Sequence, residues 1–378
     1  MIALFVYGTL CHLPLLKTVL GRLPAAQRAS LPGHAAYWAE GHDFPFLVVE
    51  NDAAAQGLLL SGLTAQDMAR LDYYEGPFRC GAQFRRVLVD GSGVEALVYI
   101  PAPSLWHPGA VWSLPDWVAQ WGAVIVATAG DVMAQYPVAL PADRRGPMLV
   151  RGASRVRAGR VRATLGQAVQ TRRTSSICDV QVQALRHPYA RFFAVEEYDL
   201  SFRRFDGTQS PVVTRAAFIS GDAVTVLPYD PVRDRVLVIE QFRVGPFARG
   251  DAQPWQLEPI AGRVDPGETP EDAARREAVE EAGLTLGALL PIGNYYPSPG
   301  AKIEFLYSFI ALTDLPDGTA IIGGAEEEAE DIKGHLMGFE DFAALIARGE
   351  ATTAPLLISY YWLDRERARL RAQTNNPV

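Results

Sequence analysis

Apolar positions come in two different arrangements along the chain, separated by a stretch of another texture. Up to about residue 110 they form short runs, IALFVYG, FPFLVVE, AQGLLLSG and GVEALVYIP, with turn residues between them. Runs of that length bounded by turn formers read as strands. One helix interrupts them, TAQDMARLDYYEG, in which Thr64 and Asp67 are spaced for a capping box. From residue 178 to 372 strands and helices are interleaved. AVTVLPYD and RVLVIEQF read as two strands joined by a turn at Pro231 and Asp234, followed by a helix over 270–282, the strand EFLYSFIAL, a helix in FEDFAALIARG and a last helix from Ala354.

Residues 111–177 read as a connector. The segment PDWVAQWGAVIVATAGDVMAQYP predicts a helix with Trp117 and Trp121 on one face, opened by a proline and stopped by Pro137. Residues 144–173 then hold nine arginines and no acid. Without interleaved aromatics this is a solvated linker, or one docked on an acidic surface, rather than a nucleic-acid arm. No internal repeat relates the flanking regions, so the chain reads as two different modules, 1–110 and 178–372.

Composition narrows the class. The chain has 378 residues, 49% hydrophobic and 21% charged, with net charge −8. That is a folded two-module protein without polycationic character, and nucleic acid is not an expected partner. A phosphate substrate stays open, because bound cations can supply positive charge. Cys11, Cys80 and Cys178 are odd in number and lack metal-ligand spacing, which fits a reducing cytoplasm. No apolar run reaches the roughly 18 residues of a membrane span. The opening MIALFVYGTL lacks a basic leader, so it reads as a buried strand.

The sharpest chemistry lies in GRVDPGETPEDAARREAVEEAGL, residues 262–284. Thr269 is placed as N-cap, Pro270 at the first helical position, Asp272 to complete a capping box, and Gly283 to end the helix. Glu277, Glu280 and Glu281 then share one helix face. Like charges so close repel unless a cation compensates; Arg276 can serve one of them, and oxygen-bound metal is the natural partner of the rest. A solvated acidic face is the plain alternative. Spacing decides between the two: the segment follows G-x5-E-x7-R-E-U-x-E-E-x-G-U through Gly262, Glu268, Arg276, Glu277, Glu280, Glu281, Gly283 and Leu284, with Ala278 in place of a larger aliphatic residue.

On those residues the C-terminal half is similar to the Nudix hydrolases. The resemblance implies an α/β/α sandwich around a mixed β-sheet, and hydrolysis of a nucleoside diphosphate compound by water with bound Mg²⁺, Mn²⁺ being the alternative metal. The flanks resemble the ADP-ribose pyrophosphatase group: LPYDPVRDRVLVIEQFR ending at Arg243, WQLEPIAG before the box, and Ser298-Pro299-Gly300 after it, with Pro299 sixteen residues beyond Gly283. What this implies is a site in which the Ala261 carbonyl, Glu277, Glu281 and Glu330 hold metal. Glu280 acts through a second metal or water. Glu328 is the general base, with Glu326 and Glu327 as alternatives if the loop shifts by a residue. Phe192 and Arg215 match a pair that sandwiches adenine, and Phe193 neighbours the first. Arg243 matches the diphosphate contact and Glu304 the ribose contact, with Ser298, Pro299 and Gly300 in the substrate loop. Arg263 stands at a contact position where the family pattern has an apolar residue. A homodimer through the Nudix domain, with exchanged N-terminal strands, is also implied. A tellurite-resistance-associated Nudix branch resembles the chain as well.

The first 110 residues resemble the γ-glutamylcyclotransferase-like family through FVYGTL, the Phe44-Pro45 pair, AQGLLL, LDYYEG and FRR, although the family has tyrosine where Phe84 stands. A small β-barrel with flanking helices is implied, with Tyr7, Gly8, Thr9 and Leu10 cradling a carboxylate. Glu75 would move the proton as an α-amine closes on a γ-carbonyl to give 5-oxoproline. Glu75 as a plain helix end is the competing reading. For the whole chain, an ADP-ribose sensor and a γ-glutamyl lyase with an auxiliary Nudix half are the alternatives to an ADP-ribose hydrolase.

Overall fold

The computed structural model describes residues 2–76, 80–101, 105–137, 145–165, 171–190, 193–319, 322–323 and 330–375. One compact unit runs to Ser176 and a second starts at Ile177.

In the first unit, β1 (Ile2–Val6), β2 (Ala25–Ala39), β3 (Pro45–Leu63), β4 (Cys80–Val89) and β5 (Ser92–Pro101) pair in the order β3-β1-β5-β4-β2, and β2 pairs again with β3. The ring therefore closes into a five-stranded barrel, with β6 (Pro108–Val111) added to β2. Strand alternation divides β1 between two cores. Phe5 joins Leu31, Leu59, Val87 and Val98, while Leu4 and Val6 join the helices α1 (Leu13–Leu20) and α2 (Ala65–Glu75). The Thr64–Asp67 capping box of α2 is formed in both directions.

Three features of this unit differ from the sequence reading. FPFLVVE and AQGLLLSG are parts of one long strand, β3, whose partner β2 is rich in alanine and carries a Pro32-Gly33 pair, residues with little strand signal. The helix placed in a connector is core. It runs as α3 (Leu114–Trp117), a π-turn over Val118–Gly122 and α4 (Ala123–Met133). Trp117, Ala129, Val132 and Met133 pack with Leu4, Leu15 and Leu16. The arginine-rich stretch is also ordered as a helix, α5 (Arg145–Leu165), packed on α4 with Met148 and Ala153 buried. Its Arg151 and Arg155 pair with Asp131 of α4 at 3.6 and 2.7 Å. Small residues let the helix approach closely, and its acid partner comes from the neighbouring helix, so neither was visible in a count of local charge.

The second unit opens with a three-stranded sheet, β7 (Val180–Ala190), β8 (Ala194–Phe202) and β9 (Val213–Ile219). A mixed sheet follows, made from β10 (Ala223–Asp230), β11 (Arg235–Phe242), β12 (Trp255–Glu258), β13 (Ile260–Arg263), β14 (Leu289–Tyr295), β15 (Leu306–Leu312), β16 (Ile322–Gly323) and β17 (Ile332–Gly338). Its order is β14-β15-β10-β11-β17-β16, with β12 on β11 and β13 on β10; β10 and β15 are parallel and the other pairs antiparallel. The short α6 (Val244–Arg249) lies between β11 and β12.

Leu227 and Tyr229 of β10 pack on α8 (Phe339–Ala347) and α9 (Ala354–Asn375). Val224, on the opposite face by alternation, pairs with Gly262, and Gly262 abuts Glu277 of α7 (Pro270–Ala282). Helices thus cover both faces of the sheet, and α7 seats its alanine stripe, Ala273, Ala274, Ala278 and Ala282, against β10 and β13. No helix among the described residues is long and apolar enough to cross a membrane.

Candidate functional site

The helix α7 is fixed at both ends. Asp272 N–H donates to Thr269 Oγ1 at 3.2 Å, and Gly283, at φ 62°, takes the left-handed conformation that ends the helix. The expected capping box is half formed: the Thr269 hydroxyl donates to Asp272 Oδ2 at 2.6 Å, so the carboxylate meets the side chain instead of the Thr269 backbone. These ends place Glu277 and Glu281 inward, both over nine-tenths buried, and Glu280 outward.

Gly262 is required by that arrangement. A Cβ there would lie 1.8 Å from Glu277 Oε1. Across the gap, Ala261 N–H donates to Glu281 Oε2 at 3.1 Å, which ties β13 to the helix. Arg276 organises the remaining acids. It donates to Glu277 at 2.7 Å, to Glu280 at 2.9 Å, to both oxygens of Glu268 at 3.1 Å, and to the Arg263 carbonyl at 2.9 Å.

Burial pushes Glu277 up to about 7, Arg276 opposing it while Glu280 and Glu330 add to it. Glu281 goes to about 8, again chiefly by burial, with the Ala261 N–H opposing and Glu277 and Glu330 adding. Two buried carboxylates and a third within electrostatic reach are costly without positive charge. Among the described residues no three His, Cys, Asp or Glu side chains converge as a finished metal cage. The groups gathered here present carboxylate oxygens, which suit a hard divalent cation.

In front of β13 lies a cleft of about 1410 Å³. Its wall includes Phe193, Arg243, Ala261, Gly262, Arg263 and Glu304, all but Gly262 marked as site residues in the sequence. Arg243 is anchored by Glu258 at 2.7 Å and Glu304 by Lys302 at 2.8 Å. Glu258, Lys302 and Phe218 belong to this wall but were not singled out in the sequence; Glu258 sat unread inside WQLEPIAG. Arg215 lies elsewhere. It is exposed on β9, outside the cleft wall, and donates to the Thr214 carbonyl at 2.8 Å. Ser298, Pro299 and Gly300 form an exposed turn closed by Ala301 and Lys302 N–H on the Ser298 carbonyl, and Phe218 N–H donates to Ala301 at 2.7 Å. Phe192 and Glu326, Glu327 and Glu328 lie outside the described residues.

The first unit holds a separate, smaller pocket of about 50 Å³, lined by Tyr7, Thr9, Leu10, Phe44, Pro45, Glu75, Tyr99 and Trp106. The loop after β1 and the end of α2 therefore meet. Gly8, at φ 73°, sits where a Cβ would strike Pro45 at 2.2 Å, so the FVYGTL and Phe44-Pro45 motifs are two sides of one contact. Tyr7 donates to the Tyr99 carbonyl at 3.1 Å, and Tyr99 to Asp72 at 2.6 Å. Tyr99 and Trp106 carried no signal in the sequence beyond being aromatic. Burial raises the thiol of Cys11, next to the loop, to about 12.

Comparison with known proteins accounts for both regions. Residues 220–358 match the NUDIX domain model, and residues 4–119 match that of the gamma-glutamyl cyclotransferase, AIG2-like, family. The chain is 36% identical over 193 residues to an ADP-ribose pyrophosphatase of Escherichia coli, covering 51% of this chain and 91% of that protein. It is 35% identical to the Haemophilus influenzae ADP-ribose pyrophosphatase, covering 51% and 89%. A GDP-mannose pyrophosphatase of an Enterobacter species is 32% identical, covering 40% and 77%. A solved structure described as an ADP compounds hydrolase aligns at 21% identity with TM-score 0.39, covering 51% of this chain and 98% of its own. By the signature of residues 262–284 and by the match to the domain model and to the two ADP-ribose pyrophosphatases, the chain belongs to the Nudix hydrolase family, with a γ-glutamyl cyclotransferase-like domain over residues 4–119.

Proposed function

We propose that the C-terminal unit hydrolyses ADP-ribose to AMP and ribose 5-phosphate with Mg²⁺ bound, or Mn²⁺ in its place. The observation that carries this reading is the gathering of buried Glu277 and Glu281, with Glu330 acting on both, directly behind the strand that walls the cleft. ADP-ribose is preferred to GDP-mannose because the ADP-ribose pyrophosphatases match over more of their length and at higher identity.

In this reading Glu277, Glu281, Glu330 and the Ala261 carbonyl would hold the metal. A bound divalent cation would stabilise charge developing on the diphosphate. Arg276 holds Glu277 and Glu280 in place. Arg243, set by Glu258, faces the diphosphate, and Glu304 accepts from ribose hydroxyls. Glu328 takes a proton from the water whose oxygen attacks phosphorus, and the P–O bond to the other half of the substrate breaks. Phe192 stacks on adenine. Arg215, exposed and outside its own chain's cleft, completes the sandwich across a homodimer in a cytoplasmic enzyme. Product analysis with Mg²⁺ and ADP-ribose, GDP-mannose or NADH tests this. AMP and ribose 5-phosphate should appear and vanish with chelator; undiminished turnover in excess chelator, or faster turnover of GDP-mannose, would overturn it.

For the N-terminal unit the reading is cyclisation of γ-glutamylamines to 5-oxoproline. It is favoured by the single pocket that joins Glu75 to Tyr7, Thr9 and Leu10. Release of 5-oxoproline from γ-glutamylamines tests it, and none released would leave the pocket as a binding site.

A further inference from the structure

The C-terminal turn of α7 is held by two strands. From β13, Ala261 N–H donates to Glu281 Oε2 at 3.1 Å, and Gly262 abuts Glu277. The other strand is β16, only two residues long. A Cβ added at Gly323 would lie 2.4 Å from the Glu281 carbonyl oxygen and 3.1 Å from its carbonyl carbon. The Gly323 backbone is not in the left-handed region, so space and not torsion demands glycine here. The obstacle differs from that at Gly262. There a Cβ meets a carboxylate, which can turn; at Gly323 it meets the main chain of a capped helix, which cannot. The same strand leads to an acid. Gly323 pairs with Ile332 of β17, which is fully buried, and Glu330 stands two residues before Ile332. Glu330 is near enough to act on both Glu277 and Glu281. Ile322, beside Gly323, is 79% exposed, so its side chain does not seat the strand.

We propose that Gly323 is a positioning residue for the metal site: by letting β16 lie directly on the Glu281 carbonyl, it sets Glu330 at the distance from Glu277 and Glu281 at which all three share a divalent cation. This rests on the reading of those three carboxylates as the group that holds metal. A methyl group at this position is relieved only if strand and helix part by about 1 Å, the difference between the overlap and an ordinary contact. The strand does not move alone, because its pairing ties Gly323 to Ile332 and so to the segment that carries Glu330. Glu330 then retreats from the two carboxylates of α7. A small hard cation such as Mg²⁺ demands near-ideal oxygen geometry, so a retreat of that size loses the ligand. Residues that orient metal ligands without touching the metal are worth about 10–100-fold in affinity.

Binding of Mn²⁺ to the full chain, followed through the electron paramagnetic resonance of the free ion, tests this without turnover. The variants are Gly323→Ala, Glu330→Gln, the two together, and Ile322→Ala, with thermal unfolding in chelator showing that each is folded. Gly323→Ala should weaken Mn²⁺ binding roughly tenfold. Glu330→Gln should weaken it at least as much. The double variant should bind no worse than Glu330→Gln alone, because a displaced carboxylate and an absent one cost the same contact. Ile322→Ala, in the same strand but facing solvent, should keep full affinity. Full affinity in Gly323→Ala overturns the proposal, and so does an equal loss in Ile322→Ala. Losses that simply add in the double variant overturn it too, since the helix and not Glu330 is then what the methyl group disturbs. A Gly323→Ala chain that does not fold makes the glycine a folding residue and overturns it as well. An unaltered protein that binds no Mn²⁺, or full affinity in Glu330→Gln, defeats the metal reading and the proposal together; a departure confined to the Gly323 variants leaves the metal reading standing.

Discussion

The two units place the carboxylates of their candidate sites in opposite ways. In the C-terminal unit Glu277 and Glu281 are buried together on one helix, Glu277 closely against Gly262, and Arg276 shares Glu277 with two further acids, Glu268 and Glu280. In the N-terminal unit Glu75 stands at the end of its helix and reaches a pocket of aromatic rings and a backbone turn. The first arrangement concentrates negative charge and therefore calls for a cation. The second offers one carboxylate in a largely apolar setting, which suits movement of a single proton. In the proposed function, charge stabilisation and proton transfer fall to separate constellations of one chain.

The sharpest way to break this comparison is a crossed pair of variants. Glu281→Gln keeps shape and removes a charge, and should slow ADP-ribose hydrolysis by roughly a hundredfold or more. It should leave 5-oxoproline release unchanged. Glu75→Gln should do the reverse, abolishing 5-oxoproline formation without affecting hydrolysis. Both rates are measured on both variants. If either substitution moves both activities, the constellations are not independent.

A second experiment tests whether the metal helix depends on close approach as much as on charge. Gly262→Ala places a methyl group 1.8 Å from Glu277 Oε1, so the helix or the carboxylate has to shift. Overpacking of this kind costs about 1–3 kcal/mol. Hydrolysis should fall about tenfold, in line with a misplaced catalytic group. A native rate and native thermal midpoint would show that Glu277 has slack, and that its place on the helix is not a positioning device.

The aromatic wall gives a smaller effect. Phe193→Ala should raise KM for ADP-ribose more than it lowers kcat, because stacking on an aromatic platform is worth about 1–3 kcal/mol and acts on binding. Steady-state kinetics separates the two parameters. A changed kcat at constant KM would move Phe193 from the binding wall to the catalytic arrangement.

How much of this was legible beforehand follows from the range of the forces involved. Helix α7 was read to the residue, because its caps, proline and glycine act locally and its carboxylates repeat at helical spacing. The strand pair β10 and β11 was equally plain from alternation and its turn. The cleft wall was read in part. Arg243 and Glu304 were named, while their partners Glu258 and Lys302 were not: Glu258 reaches Arg243 from fifteen residues away, which leaves no mark in spacing, and Lys302 stands two residues before Glu304 with nothing in the pattern to pair them. The helix from Leu114 to Met133 was found and then assigned to a connector. Nothing local to it shows that Trp117 will be covered by β1 and α1. Pocket residues Tyr99 and Trp106 were missed for the same reason: barrel closure brings them to Glu75 from distant parts of the chain.

The smallest effect separates two helix caps built from the same pair of residues. Thr269 and Asp272 of α7 bond side chain to side chain, with the Asp272 N–H on the threonine hydroxyl. Thr64 and Asp67 of α2 form the full reciprocal box, and Arg22 adds a bond to Asp67 Oδ2 at 2.5 Å. The Arg22 bond foremost, against the opposing effect of burial and with help from Thr64, holds Asp67 down at about 2, below its ordinary 3.8. The sign follows from linkage. Above 3.8 the carboxylate is ionised in both the folded and the unfolded chain, and the contribution is fully present. As pH falls from 3.8 towards 2, the unfolded chain takes up its proton first, and the contribution is lost. Asp67→Asn should therefore lower the thermal midpoint of the N-terminal unit by a few degrees near neutral pH, and the gap should close as pH approaches 2. Thr64→Ala should cost about 1 kcal/mol, and Thr269→Ala about the same, because each hydroxyl accepts one backbone N–H and donates to one aspartate. Calorimetric unfolding of the full chain at several pH values reads all three. A gap for Asp67→Asn that stays constant down to pH 2 would mean that Asp67 acts through shape rather than charge, and that the added arginine does not distinguish the two caps.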